Sequence, residues 1–208
     1  MIGEYLANVA TGYLLGSIPF GLVVGYVWLR SDIRDVGSGK TGTTNVLRTA
    51  GRTAAVLVLL CDVLKGVAPA LIGKYAWDDD GVAAAGAAAA VVGHVFPVFA
   101  GFRGGRGVAT AFGGILGLTP LLALAFPVVA LLIIVSTRYV SLMSVLAAPI
   151  GAAVVVAAAA AGWEAPEFAL YAVAVVLIIE YMHIPNIRRL LAGTEPRIGK
   201  GGDRPATG

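Results

Sequence analysis

The feature that most constrains this chain is a series of apolar segments, most of them long enough to cross a lipid bilayer. A helix needs about 20 apolar residues to span the hydrocarbon core. The segments fall at 5–29, 53–74, 82–100, 107–120, 122–137, 140–161 and 167–183. Only 13% of the residues are charged, whereas soluble domains carry about 25%. The sequence therefore predicts an all-α integral membrane protein with seven transmembrane helices.

Two of these segments leave the details of the crossing open. The fourth and fifth are shorter than a full span, and Pro120 lies between them. They fit two complete crossings, half-spans or a tilted pair.

The distribution of charge predicts the orientation. With seven spans, thirteen of the fifteen Lys and Arg residues fall on one side. The aspartates at 78–80 and Glu164 fall on the other side. The positive-inside rule then places the N-terminus outside and the C-terminus in the cytoplasm. Residues 1–192 form the membrane domain, and the glycine-rich segment 193–208 is predicted to be a disordered cytoplasmic tail.

A polar, glycine-rich segment follows the first span. Its candidate binding residues are Gly37, Ser38, Gly39, Lys40, Thr43, Thr44, Asn45 and Arg48. Glycine lets backbone N–H groups approach an anion, and the side chains add charge and further donors. A nucleotide-binding P-loop is excluded, because Arg34 stands where that motif needs glycine and no strand precedes the segment. The polar cluster favours an anion site over a plain turn.

A second segment of this kind, Arg103-Gly104-Gly105-Arg106, follows the third span. The two arginines alone would fit a positive-inside anchor. The paired glycines between them favour a second anion-binding loop. His94, shortly before this segment, fits either a helix-packing residue or a functional group.

Further polar residues lie within or at the end of spans. Asp62 and Lys65, three residues apart in the second span, are expected to pair with each other or with the first polar segment. His183 and Asn186 would share one face if the last helix continues past Pro185. The following pair, Arg188 and Arg189, is expected to anchor lipid headgroups.

The sequence lacks several familiar catalytic patterns. Neither histidine is followed five residues later by aspartate, as in soluble-type acyltransferases. There is no Gly-x-Ser-x-Gly elbow and no paired set of histidines or cysteines for a metal. An enzyme with these residues would use no cofactor, and would act by positioning and charge stabilisation on an activated substrate.

Five motifs in this order resemble those of the bacterial membrane glycerol-3-phosphate acyltransferases that use acyl phosphate as donor. They occupy 16–21, 37–45, 62–66, 93–110 and 183–187. The resemblance implies acyl transfer to the sn-1 hydroxyl of glycerol 3-phosphate, giving lysophosphatidic acid and inorganic phosphate in phospholipid biosynthesis. It implies a multi-pass protein of the inner (plasma) membrane with its active site facing the cytoplasm. It also implies membrane lipid but no nucleic acid as a partner, and a monomer.

The resemblance also implies roles for individual residues. Ser38, Arg106 and His183 would be catalytic. Ser38, Thr44, Asn45, Arg48 and Arg106 would line the phosphate sites, and His183 and Asn186 would hold the glycerol. The full predicted substrate-binding set also includes residues singled out from the sequence itself: Gly37, Gly39, Lys40, Thr43, Lys65, Arg103, Gly104 and Gly105. The sequence departs from the family pattern at Lys40, usually Asn, at Arg106, usually Lys, and at Met182, usually basic.

Two other classes of protein fit part of the pattern. A transporter of phosphate or of a phosphorylated metabolite would also need cationic pockets, but should carry polar residues near the bilayer midplane. A lipid-binding scaffold would not need the serine, threonine and asparagine residues.

Overall fold

In a computed structural model, residues 1–198 of this chain are described, and every regular element among them is helical. The α-helices are α1 (Ile2–Gly16), α2 (Phe20–Leu29), α3 (Thr43–Thr49), α4 (Gly51–Ala76), α5 (Asp80–Val95), α6 (Val108–Leu118), α7 (Pro120–Ala123), α8 (Ala125–Thr137), α9 (Val140–Ala160) and α10 (Pro166–Leu191). Two 3-10 helices, Ile33–Asp35 and Val98–Ala100, lie in polar connections. The predicted all-α membrane architecture is confirmed for this part of the chain.

The prediction of seven transmembrane helices is wrong for the fourth segment, for which the sequence had also left a half-span open. Six segments in the described part are long and apolar enough to span: Ile2–Leu29, Gly51–Ala76, Asp80–Ala100, Pro120–Thr137, Val140–Ala160 and Pro166–Leu191. The remaining helix, α6, has 11 residues and is about 16 Å long at 1.5 Å per residue. That is roughly half of the bilayer core. Pro120 limits α6, because the residue before a proline avoids helical geometry, and Thr119 is non-helical.

The short helix α6 nevertheless reaches from one end of the bundle towards the other. Gly107, just before it, lies against Val91 and Val95 near the end of α5. At its other end, the Leu118 carbonyl accepts a 2.9 Å hydrogen bond from Lys74 Nζ, close to the end of α4. The chain therefore passes from one end of the bundle to the other through the connection 96–107 and α6 together. We call the end that holds connections 30–42, 96–107 and 192–198 the polar end.

The chain starts and finishes at opposite ends of the bundle. Near its start, Asn8 Nδ2 donates to the Val82 carbonyl at 2.8 Å, next to the 77–79 turn. After α10, the Ile198 N–H donates to the Arg138 carbonyl at 2.9 Å at the polar end. The predicted disordered tail began at Gly193. Residues 193–198 return to α9 and α10 in this way, and residues 199–208 lie outside the described part.

Small residues allow α1 and α5 to pack in close contact. A methyl group at Gly12 would lie 2.1 Å from the Gly86 carbonyl oxygen, and one at Gly16 would lie equally close to that of Ala90. Such contacts are typical of membrane bundles, where small residues let helix backbones approach. The helix α8, by contrast, buries none of its side chains and lies at the edge of the bundle. Close packing around α5 thus fixes the frame that carries the polar end.

The placement of the termini predicts accessibility from opposite sides of the membrane. Asp80→Cys and Thr194→Cys, each made in a Cys61→Ala background to remove the natural cysteine, change exposed residues at the two ends. An impermeant thiol reagent should label one variant in intact cells and the other only in inverted vesicles. Labelling of both variants from the same side would contradict this topology.

Candidate active site

A cavity of about 1340 Å³ opens at the polar end. The predicted site residues that line it are Gly37, Ser38, Lys40, Thr43, Thr44, Asn45, Arg48, Arg106, His183 and Asn186. Its deeper wall is apolar and includes Leu59, Phe112, Phe126 and Ile134. The two glycine-rich segments and the end of α10, far apart in sequence, thus meet around one space that is polar on one side and apolar on the other.

Asn45 shapes the first loop. Its Nδ2 donates to the carbonyls of Ile33 at 2.8 Å and Val36 at 3.1 Å, and its Oδ1 accepts from the Ser38 N–H at 2.8 Å. Gly37 has φ +65°, and a Cβ there would lie 2.2 Å from Asn45 Oδ1. Only glycine meets both demands. The Asn45 amide is engaged in holding the loop, so its neighbours' side chains are the groups available to a ligand.

The paired glycines of the second loop pack it onto the end of α5. The N–H groups of Gly105 and Gly104 donate to the carbonyls of His94 at 3.1 Å and Val95 at 3.2 Å. A Cβ at Gly105 would lie 2.0 Å from His94 Nε2, and one at Gly104 would lie 2.0 Å from the His94 carbonyl oxygen. Both glycines therefore face the end of α5 and do not line the cavity. Their effect is to place Arg106 at its wall.

A buried ion pair supports this arrangement from within the bundle. Asp62 Oδ1 lies 2.9 Å from Lys65 Nζ, which confirms the predicted pairing. Lys65 Nζ also donates to the Ile18 carbonyl at 3.1 Å, in the break between α1 and α2. His94 Nδ1 lies 3.6 Å from Asp62 Oδ1. Lys65 does not line the cavity. Its contacts with Ile18 and Asp62, together with the approach of His94 to Asp62, link the break between α1 and α2 to α5, on which the second loop packs.

The end of α10 brings two acceptor atoms to the cavity. The helix continues through Pro185 to Leu191, so His183 and Asn186 share a face as predicted. His183 Nδ1 lies 2.8 Å from the Ile179 carbonyl. Because a carbonyl only accepts, Nδ1 carries the proton and Nε2 is left as an acceptor. Asn186 Nδ2 donates to Glu195 Oε1 at 2.7 Å.

The first loop also meets the cations of the second loop. Burial lowers the pKa of Lys40, and the nearby charges of Arg106 and Arg103 lower it further. Cations so close together repel one another, and a bound anion relieves that repulsion. Arg103 itself is exposed and does not line the cavity, and neither does Gly39.

Glu195, which was not among the predicted site residues, lies at the cavity wall on the segment after α10. It is 8% exposed. Its Oε2 accepts a 2.7 Å hydrogen bond from Arg189 Nε. Burial raises its pKa, but the hydrogen bonds from Asn186 and Arg189 outweigh that effect and hold the pKa below its ordinary value. The sequence feature that could have identified Glu195 is its position as the one acidic residue in the basic stretch 188–200.

Arg189 differs from its expected role. It was expected to anchor lipid headgroups, together with Arg188. In the structure it holds Glu195 and lines the cavity, whereas Arg188 is exposed.

Three buried polar atoms of the predicted site residues at the cavity wall have no hydrogen-bond partner within residues 1–198. They are Thr43 Oγ1, Arg106 Nε and Asn186 Oδ1. Buried polar atoms in proteins are nearly always hydrogen-bonded. Their convergence around one cavity indicates a site for a polar, anionic ligand.

The contacts of Glu195 predict a structural role with a defined pH dependence. Glu195→Ala removes the acceptor of two hydrogen bonds, each contributing about 1.5–3 kcal/mol when one partner is charged, and should lower the thermal unfolding midpoint in detergent. Because the folded-state pKa is below the ordinary 4.5, this stabilisation is present above pH 4.5 and is lost as the pH falls through the folded-state pKa.

The control for this experiment is Glu4→Ala, which removes an exposed ion pair with the N-terminal amine. Exposed pairs of this kind contribute about 0–1 kcal/mol. Equal midpoints for the Glu195 and Glu4 variants at neutral pH would contradict the role given to Glu195.

Comparison with known proteins places this site in a family. The family described as glycerol-3-phosphate acyltransferase matches residues 6–193. The chain is 47% identical over 197 residues to the glycerol-3-phosphate acyltransferase of Rhizobium meliloti, covering 95% of this chain and 94% of that protein. The corresponding protein of Allorhizobium ampelinum is 44% identical over 204 residues, covering 97% of this chain and 95% of that protein.

Solved structures agree with the sequence relatives. The crystal structure of PlsY (YgiH), an integral membrane glycerol 3-phosphate acyltransferase, in its glycerol 3-phosphate form superposes with a TM-score of 0.86 at 41% identity, covering 94% of this chain and 96% of that one. Its lysophosphatidic acid form gives a TM-score of 0.84 at 40% identity, covering 94% and 95%. The chain is therefore a member of the integral membrane glycerol-3-phosphate acyltransferase (PlsY) family.

Proposed function

We propose that this protein transfers a fatty acyl group from acyl phosphate to the sn-1 hydroxyl of glycerol 3-phosphate. The products are lysophosphatidic acid and inorganic phosphate, as a step of phospholipid biosynthesis. The observation that carries the proposal is the cavity itself, which joins cationic loops, two acceptor atoms for a hydroxyl and an apolar wall for an acyl chain. The names of the related structures, which specify glycerol 3-phosphate and lysophosphatidic acid, support the same acceptor and the same product.

The two phosphates are held by the glycine-rich loops. Ser38, Thr43 and Thr44 supply hydroxyl donors from the first loop, and Arg48 and Arg106 supply charge from the two sides of the cavity. Arginine suits this role because its planar group can donate two parallel hydrogen bonds to a phosphate. Support comes from the unpartnered Arg106 Nε and Thr43 Oγ1 at the cavity wall.

The glycerol hydroxyls are held at the end of α10. His183 Nε2 and Asn186 Oδ1 accept hydrogen bonds from them, because the other polar atom of each side chain already has a protein partner. The hydroxyl oxygen attacks the acyl carbonyl carbon and forms the ester C–O bond. The bond from that carbon to the phosphate oxygen breaks, and phosphate leaves with the electron pair.

No covalent enzyme intermediate or cofactor is needed, because acyl phosphate is an activated mixed anhydride. Ser38 and Arg106 stabilise charge on the donor. The hydroxyl proton has two acceptors close to the reacting atoms, His183 Nε2 and the departing phosphate. Catalysis thus consists mainly of holding two anionic substrates in reacting geometry.

The protein acts as a monomer in the inner (plasma) membrane, with the polar end in the cytoplasm. This orientation is supported by the concentration of Lys and Arg at that end. In the labelling experiment described for the fold, Asp80→Cys should therefore be the variant that reacts in intact cells. Reaction of Thr194→Cys in intact cells would contradict the orientation and leave the relative placement of the ends unaffected.

The proposed reaction predicts a strict requirement for two substrates. Purified protein should release inorganic phosphate only when acyl phosphate and glycerol 3-phosphate are both present. Acyl-CoA and acyl carrier protein should not replace acyl phosphate, because the loops are specialised for a phosphate. Comparable rates with acyl-CoA would contradict the assignment of acyl phosphate as donor. Movement of glycerol 3-phosphate across the membrane of vesicles that contain the protein, without acylation, would support a transporter instead.

The phosphate loops predict a contrast between three arginines. A charge-assisted hydrogen bond contributes about 1.5–3 kcal/mol, and each ~1.4 kcal/mol is tenfold in rate. Arg48→Ala and Arg106→Ala should each lower kcat/KM by about ten- to a hundredfold in steady-state kinetics. The control is Arg188→Ala, which removes an exposed arginine from the same end of the bundle. If the first two variants are folded and as active as the control, the two-loop phosphate site is wrong.

A further inference from the structure

The apolar wall of the cavity ends at a pair of stacked aromatic rings. Phe112 on α6 and Phe126 on α8 lie with ring centroids 5.4 Å apart and an interplanar angle of 28°. Both side chains line the large cavity. Both also line a second, much smaller cavity of about 20 Å³. The ring pair therefore lies between two spaces, with a contact geometry that is favourable for aromatic side chains.

The second cavity continues the line of the first, deeper into the bundle. On α9 the large cavity reaches Ser144, and the small one begins four residues further on, at Ala148. On α10 the large cavity begins at Met182, and the small one extends from Ile179 to earlier residues of that helix. Both shifts run away from the polar end, so the small cavity lies behind the rings as seen from the phosphate loops.

The character of the small cavity is entirely apolar. The residues that line it are alanine, valine, isoleucine, phenylalanine and one glycine, Gly151. A Cβ at Gly151 would be 3.8 Å from the Phe126 ring. Its volume is about that of one water molecule, but no polar side chain among residues 1–198 lines it. A space of this kind favours a methylene chain over water.

The large cavity offers an acyl chain a path that leads to these rings. Its apolar wall follows α8 from Ile134 to Phe126, a distance of about 12 Å at 1.5 Å per residue. The polar groups lie at the other end of this path. An acyl chain bound with its carbonyl at the loops would therefore run along α8 and meet the rings with its terminal methyl group.

We propose that Phe112 and Phe126 form the floor of the acyl-chain site and set the longest acyl chain that the protein accepts. This inference rests on the proposed function, because it takes the occupant of the cavity to be the fatty acyl group of the donor. The rings block the small cavity, and a smaller side chain at either position joins the two spaces. The pair is then a determinant of chain-length specificity, without a part in the reaction itself.

The test is a series of acyl phosphates that differ only in chain length, from decanoyl through palmitoyl to arachidoyl, presented in the same detergent. The measured quantity is the ratio of kcat/KM for arachidoyl to that for palmitoyl phosphate. Phe112→Ala and Phe126→Ala should each raise this ratio about tenfold, the size of effect that a small change in a hydrophobic pocket gives. Adding Gly151→Leu to Phe112→Ala refills the space and should return the ratio towards the wild-type value.

The matched control is Phe99→Ala, which truncates an exposed phenylalanine that lines neither cavity, and it should leave the ratio unchanged. If the alanine variants do not fold, Phe112→Leu keeps an apolar side chain and should change the ratio in the same direction by a smaller factor. Folded Phe112 and Phe126 variants with the wild-type ratio would overturn the proposal, and so would an equal change in the Phe99 variant.

Failure of this inference can be distinguished from failure of the proposed function. If the wild-type protein releases no phosphate from any acyl phosphate, the donor assignment fails. The same chain-length series is then measured with whichever acyl donor supports turnover, and the same change in ratio is expected. If acyl phosphate is used and the ratio does not respond to either ring, the donor stands and the floor of the acyl site is elsewhere.

Discussion

The buried ion pair between Asp62 and Lys65 holds together the helices that carry the polar end of this molecule. An ion pair within a membrane span is costly unless both charges are satisfied, and breaking such a pair typically costs about 3–5 kcal/mol. Here Lys65 also binds the Ile18 carbonyl, which lies where the first span is interrupted. Asp62 lies beside His94, and His94 supports the second loop. One ionic contact thus couples the break in the first span to the loop that carries Arg106.

Close packing around glycine is the second constraint on the site. At Gly104 and Gly105 a side chain would overlap His94, and at Gly37 it would overlap Asn45. Both loops consequently lie tightly against the helices below them, with their backbone groups bonded internally. This matters in a membrane protein, because unsatisfied backbone groups are very costly near hydrocarbon. The side chains that remain unpartnered, such as Arg106, are then available to a ligand.

Much of the architecture was predictable because the bilayer restricts the possible folds so strongly. Apolar length and charge distribution were sufficient for an all-helical membrane protein with its polar loops at one end. The count of seven spans failed at α6, where a glycine-rich loop and Pro120 leave only 11 helical residues. The shortness of this segment had left a half-span open, but hydropathy alone did not decide between that and a full crossing. Glu195 was missed because its burial depends on a contact between the segment after α10 and residues of that helix.

The sequence by itself determined which kinds of residue are available: hydroxyls, arginines and glycines in two short segments, and a histidine and an asparagine three residues apart. Only the tertiary structure decided which of them face the cavity. It turned Arg106 to the cavity wall and Gly104 and Gly105 away from it, because these two glycines fill the space against α5. It also bound Arg189 to Glu195, whereas the neighbouring Arg188 is exposed. Side-chain direction depends on what each backbone segment packs against, and that partner lies far away in the sequence.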